Sequence, residues 1–469
     1  MPPAPLPLEP PAGTYDALPD SAARRRATEQ RLRELFFRWG YREIITPTLE
    51  LDEVVRRAGL SLSGRQLYRF VDREGQVLTL RPDWTPAVAR LAAARLRGHP
   101  LPLRLCYIGS VFRYDRPGPD SPREFVQAGV ELLGAEGPLA DAEVIALAVE
   151  ACRCAGVADA RVELGHAGYV QALLELLDEP VREQAREGLT RRDLVAFEQA
   201  VGRAKLPEPL SQALRALPRQ RGGREALQAA AVEGLPEAAR QALAGLRKVW
   251  DQLQRLGLDS VAAVDLGLVR DLDYYTGVVF EVYAPDFGFS LATGGRYDQL
   301  LGRFGVPMAA TGFAAGVERL ALAAARRGQP RERGLPGVWV LPAPSLQGQG
   351  PSQGRGEGPA QGQQPQQAPD EQGLQAAWAV AAQLRRRGVA AAAELVARPW
   401  HESLQAAAAQ GMGWAVAVDP GEHERLRAFA LPAGKLTAQG AQELLAQARV
   451  CTLDELVAWV LAAAGAGFR

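Results

Sequence analysis

Lysine is almost missing from this chain: Lys205, Lys248 and Lys435 are the only three in 469 residues. Tracking of a nucleic-acid backbone by lysine is thereby scarce, and arginine would have to substitute for such a task. No charge excess exists either, since Lys+Arg and Asp+Glu stand at 54 each, so the balance advertises neither a polyanion nor an anionic membrane surface. Cysteine and histidine are equally sparse. Cys106, Cys152, Cys154 and Cys451, with His99, His166, His401 and His423, show no metal-ligand spacing, and Cys152 and Cys154 lie two apart on a helical run and point in different directions. No metal and no cofactor is expected. No apolar run reaches the length of a membrane span, and the proline-rich start lacks the basic region and apolar core of a secretory leader. A cytoplasmic protein without a membrane partner is expected, long enough for two or three domains.

What is present is concentrated between Val111 and Glu131. The stretch reads as two strands joined by a Pro/Gly/Asp loop. Side chains alternate along a strand, so Val126, Ala128, Val130 and Leu132 share a core face while Gln127, Gly129 and Glu131 share the other. An amide, a bare backbone position and a carboxylate opposite Arg113 read as an open floor for a small polar ligand, with glycine allowing close approach. A half-solvated sheet face is the plain alternative. Upstream, Asp83 and Thr85 follow a proline-fixed turn, and a carboxylate and a hydroxyl two residues apart suit an ammonium group. Equally, both side chains can bond local backbone. Tyr275 and Tyr297 supply two hydroxyls that, with Glu131, suit an imidazole, a ring with one donor and one acceptor nitrogen, although paired tyrosines also fill sheets, which is the preferred reading for Tyr274.

These segments resemble the class II aminoacyl-tRNA synthetase fold in its histidyl form. Phe112-Arg113-Tyr114-Asp115 and Arg123-Glu124-Phe125-Val126-Gln127-Ala128-Gly129-Val130-Glu131 are similar to its motif 2, with Asp115 where glutamate is usual. The helix with Leu32, Leu35, Phe36 and Trp39, then Tyr41–Glu50 broken by Pro47, resembles motif 1, the dimer-building element. Gly312–Leu320 resembles motif 3, and 269–275 with 294–298 resemble the two histidine-specific motifs. The resemblance implies an α+β fold: an antiparallel sheet with flanking helices, a helical insertion and a small C-terminal α/β module. It implies that Asp83 and Thr85 hold the α-amino group of free histidine. Glu131, Tyr275 and Tyr297 would read its imidazole, with Gln127 and Arg113 near its carboxylate. Arg113, Arg270 and Arg319 would form a vestigial ATP clamp.

The expected organisation is an extended arm over 1–19, a core over 20–335 and a C-terminal module over 336–469. The core carries the insertion at about 168–256, and sheet is expected through 264–283. Residues 344–373, rich in Gln, Gly, Pro and Ser, read as a disordered interruption with little to bury.

Four departures separate the chain from a histidine-tRNA ligase, which stays the alternative. No arginine precedes Gly13-Thr14, the motif 2 loop is acidic and stiff, Arg270-Asp271 stands for Arg-Gly, and Ala397–Ser403 replaces a lysine-bearing anticodon-domain run. Conversely, 122–134, 141–148, 190–198, 271–281 and 283–289 resemble the family of ATP phosphoribosyltransferase regulatory subunits. That resemblance implies a non-catalytic protein that self-dimerises through the class II interface. It would assemble with a short-form ATP phosphoribosyltransferase catalytic subunit, take part in feedback inhibition by histidine, and leave tRNA alone.

Overall fold

Alternation and helical spacing build most of this chain. The computed structural model describes residues 8–59, 66–114, 122–269, 274–328, 337–343, 369–419, 425–432 and 438–466. The chain falls into two compact units, Met1–Arg331 and Glu332–Arg469.

The first unit holds β1 (Arg42–Glu43), β2 (Leu49–Leu51), β3 (Arg69–Val71), β4 (Val77–Leu80), β5 (Leu103–Phe112), β6 (Glu124–Leu133), β7 (Arg161–His166), β8 (Arg221–Gly222), β9 (Ala262–Asp265), β10 (Val278–Tyr283), β11 (Ser290–Arg296) and β12 (Ala310–Gly316). Nine of them form one sheet in the order β1-β5-β6-β12-β11-β10-β7-β9-β8, and β2-β4-β3 form a small second sheet. The large sheet is antiparallel except for the pairs β1–β5 and β7–β9. Continuous sheet does not run through 264–283: β9 ends at Asp265, where Gly267 N–H turns back onto the Asp265 carboxylate at 3.0 Å, and β10 starts at Val278.

Both faces of the sheet are covered. On one, Val126, Ala128, Val130 and Leu132 pack with Leu32, Leu35 and Phe36 of the helix Pro19–Arg38 and with Val144, Ile145 and Leu147 of the helix Pro138–Cys154. Each valine, leucine, isoleucine or phenylalanine among them contributes about 1.5–3 kcal/mol when fully buried. On the other face Trp84, Val88 and Ala92 of the helix Trp84–Arg95 pack with Tyr107, Tyr274 and Tyr297. Six helices between Ala167 and Arg255 make up most of the insertion. Before the first helix, Gly13 C=O accepts from Arg123 N–H at 2.7 Å, which ties the start of the chain to the approach to β6.

The second unit is a five-stranded mixed sheet in the order Ala391–Ala393, Val338–Pro342, Trp414–Val418, Leu426–Ala430, Arg449–Cys451. Its first helix, Glu371–Arg386, starts before the low-complexity composition ends, because Asp370 caps it through Gly373 N–H at 2.8 Å. The last residues of the expected 344–373 interruption are therefore helical, and 344–368 lie outside the described residues.

Candidate functional site

Glu131 is the centre of the first unit's polar cluster and is 1% exposed. Its partners come from four segments distant in sequence. Thr85 Oγ1 donates to Oε1 at 2.7 Å, Tyr107 hydroxyl reaches the same oxygen at 3.3 Å, and Tyr297 hydroxyl donates to Oε2. The fourth segment gives room rather than a bond: Gly312, opposite Glu131 on β12, stands where a Cβ would collide with the carboxylate. Burial raises the Glu131 pKa to about 8, and the nearby Asp83 charge adds to the rise, while the three hydroxyls work against it.

The expected open floor is thus closed. Gly129 does not leave its space to a ligand, because the Tyr107 ring from the paired strand occupies it; a Cβ on Gly129 would sit 2.5 Å from the Tyr107 hydroxyl. Tyr107 is itself held by stacking on Trp84, with centroids 4.7 Å apart and planes 8° from parallel, and the Arg81 guanidinium lies over the Trp84 ring 3.6 Å from its centroid. Neither aromatic stood out in sequence. Placing β5 opposite β6 with Tyr107 facing Gly129 would have pointed to the first.

Asp83 has two tasks. Oδ1 accepts from Thr85 N–H at 3.0 Å and caps the helix Trp84–Arg95, the local bonding weighed as the alternative. Oδ2 accepts from Arg113 at 3.1 Å, and Arg113 Nε donates to the Pro82 carbonyl at 2.9 Å. Arg113 also lies 5.6 Å from the Phe125 ring centroid. Gln127 is 7% exposed, and its buried Oε1 has no hydrogen-bond partner. An orphaned buried acceptor is costly, which makes it a natural place for a ligand's donor.

Tyr274 packs against Tyr297 and Tyr275, with centroids 5.6 and 4.8 Å away. Tyr275 lies against Gly295, whose added Cβ would meet its ring at 2.9 Å. Arg319 donates to the Ser290 carbonyl at 3.2 Å and lies 5.7 Å from the Phe289 ring. Arg270 lies outside the described residues. The structure therefore gathers Asp83, Thr85, Arg113, Glu131 and Tyr297 through direct contacts, with Gln127 four positions from Glu131 along β6 and Tyr275 reached through Tyr274. Among the described residues no group of three or more His, Cys, Asp or Glu is placed to hold a metal ion. No described helix is long and apolar enough to cross a membrane.

The sequence model of the family described as Histidyl-tRNA synthetase matches residues 13–320. An ATP phosphoribosyltransferase regulatory subunit of Moorella thermoacetica is 45% identical over 338 residues, which is 72% of this chain and 86% of that protein. One from Geobacter sulfurreducens is 35% identical over 398 residues, 84% of each. A solved structure from Bacillus halodurans, described as an ATP phosphoribosyltransferase regulatory subunit/histidyl-tRNA synthetase, is 33% identical with a TM-score of 0.69, covering 83% of this chain and 93% of that one. The apo histidyl-tRNA synthetase of S. aureus is 25% identical with a TM-score of 0.62, covering 97% and 99%.

Proposed function

The chain belongs to the family of ATP phosphoribosyltransferase regulatory subunits, non-catalytic proteins of histidine biosynthesis on a histidyl-tRNA synthetase-like fold, and from that premise we propose that it binds free histidine at the Glu131 cluster. The observation that carries this reading is a closed polar nest around a buried carboxylate, with an orphaned amide oxygen on the same face of β6 four positions away. An imidazole N–H reaching Glu131 replaces one of its hydroxyl donors, and Tyr297 and Tyr275 offer hydroxyls to the ring's other nitrogen. Because the orphan on Gln127 is an acceptor, it suits the ligand's ammonium better than its carboxylate. Asp83 and Thr85 line the same end, and Arg113 takes the carboxylate by exchanging part of its bond to Asp83.

The partner is a short-form ATP phosphoribosyltransferase catalytic subunit, which this chain activates and subjects to histidine feedback in the cytoplasm. Histidine shifts such an assembly only by its differential affinity for two quaternary states, so no chemistry is needed at the site. That Arg113 and Arg319 are engaged by protein groups supports a regulatory over a catalytic use of the old nucleotide clamp. Self-association through the class II interface is supported by exposed apolar side chains near motif 1 and on the small sheet: Ile45, Leu49, Leu51, Phe70 and Val71.

Calorimetric titration with L-histidine, on the chain alone and on its complex with the catalytic subunit, tests the reading. Measured above pH 8, where the Glu131 carboxyl is ionised, Glu131→Ala is expected to weaken binding on the order of ten- to a hundredfold, the worth of a hydrogen bond to a charged group. Unchanged affinity in a folded variant would remove the site. Incubation with tRNA, histidine and ATP is expected to give no aminoacylation, and robust charging would restore the synthetase alternative.

A further inference from the structure

A second cleft, of about 390 Å³, lies where the helical insertion meets the sheet, away from Glu131. Leu189 reaches it from the last turn of the helix Glu179–Thr190 and Arg192 from the turn after it, Arg221 from β8, Asp265 and Leu268 from β9 and the turn after it, and Glu281 from β10. Its charges are mixed and ordered. Arg221 pairs with the buried Asp265 at 2.6 Å. Glu281 stands directly opposite Glu163 in the β10–β7 pair, a juxtaposition of like charges that costs stability. Burial, with Asp265 and Glu281 adding to it, pushes the Glu163 carboxyl up, while Arg221 and Arg192 pull it down.

Arg192 is the odd member. With φ of 55° it is the one non-glycine residue at positive φ among the described residues, at the helix C-terminal position that glycine normally takes. A long cationic side chain held there at a backbone cost, on a cleft wall, is the pattern of strain kept for function.

We propose that this cleft binds a free α-amino acid in its zwitterionic form, its carboxylate on Arg192, its ammonium against Glu281, and its side chain against Leu189 and Leu268. Two carboxylates, Asp265 and Glu281, balance two guanidiniums on the walls, and Glu163 lies paired opposite Glu281, so a phosphate or polyphosphate meets no net positive charge. An amine alone would leave Arg192 without its counterion. The occupant bridges the insertion and the sheet. Val269, on the cleft wall, lies five residues before Tyr274 of the Glu131 cluster, so the two sites share one connecting segment. The proposal stands independently of histidine binding at Glu131.

The test is calorimetric titration of the full chain carrying Glu131→Gln with each of the twenty standard L-amino acids, and with isoamylamine, N-acetyl-L-leucine and pyrophosphate. At least one amino acid is expected to bind one-to-one, at least tenfold more weakly after Arg192→Ala or Glu281→Gln, and neither single-charge analogue should bind comparably. Arg192→Gly is expected to raise the melting temperature of the free chain while abolishing the binding, which a purely structural arginine would not do. Binding of none of the twenty, equal binding of an analogue lacking either charge, preferential binding of pyrophosphate, or a lowered melting temperature in Arg192→Gly would each overturn the proposal.

Discussion

Arg113 and Asp83 are joined by a 3.1 Å ion pair in which the carboxylate is almost wholly buried and the guanidinium one-quarter exposed. Two groups that suit opposite ends of an amino acid thus neutralise each other in the free chain. Removing only the cation leaves a buried carboxylate with its cap bond and no counterion. Arg113→Ala is expected to cost on the order of 1–3 kcal/mol in urea unfolding, between the values for exposed and buried pairs. Adding Asp83→Asn should recover most of that loss, and a double-mutant cycle reads the coupling.

Glu131 makes stability depend on pH in an unusual sense. Its folded-state pKa of about 8 lies above the ordinary carboxylate value, so the folded chain holds a proton that the unfolded chain has released between about pH 4.5 and 8. Stability therefore falls as pH rises through that window, by at most about 1.4 kcal/mol per unit. Glu131→Gln removes this contribution. Thermal melts of the variant and the parent should diverge in the variant's favour towards pH 8, and parallel curves would contradict the assignment.

His166 acts in the opposite direction. Burial lowers its pKa to about 4, and its buried Nδ1 has no partner. The unfolded chain takes up a proton below about pH 6.5 that the folded chain refuses until about pH 4, so stability is lost on acidification across that range. His166→Leu is expected to flatten the acid limb of the melting profile and leave the alkaline limb alone.

Gly129→Ala tests why the position is bare. A methyl there meets the Tyr107 ring and the Phe313 carbonyl, neither of which can move freely. A loss of about 1–3 kcal/mol or more is expected by chemical denaturation. Val130→Asp, on the opposite face and fully buried, should abolish cooperative folding by burying an unpaired charge, visible as loss of the circular dichroism transition.

Strict alternation made the core face of β6 readable, and Val126, Ala128 and Val130 are all buried in the first unit's main core. The other face misled, since a run of Gln, Gly and Glu looks the same whether water or protein lies above it. Its cover is the helix Trp84–Arg95 together with Tyr274 and Tyr297, and no local period reports a contact between segments so far apart. Asp83 could be read as a cap from its proline-fixed turn, whereas its bond to Arg113 needed the third dimension. Arg192 was invisible for a different reason: spacing encodes which face a side chain takes, not the sign of a backbone torsion.

The pairing of β6 with β12 also sets an order on biosynthesis. β5 and β6 can zip together soon after they leave the ribosome, but the far edge of β6 waits until everything from Gly134 to Ala309 has been made. Through that interval the nascent chain exposes an unsatisfied strand edge with an apolar face, the kind of surface that recruits chaperones or pairs with the wrong neighbour. A truncation ending before β12 should therefore aggregate where the complete chain does not, which makes the timing of translation itself part of how this sheet is built.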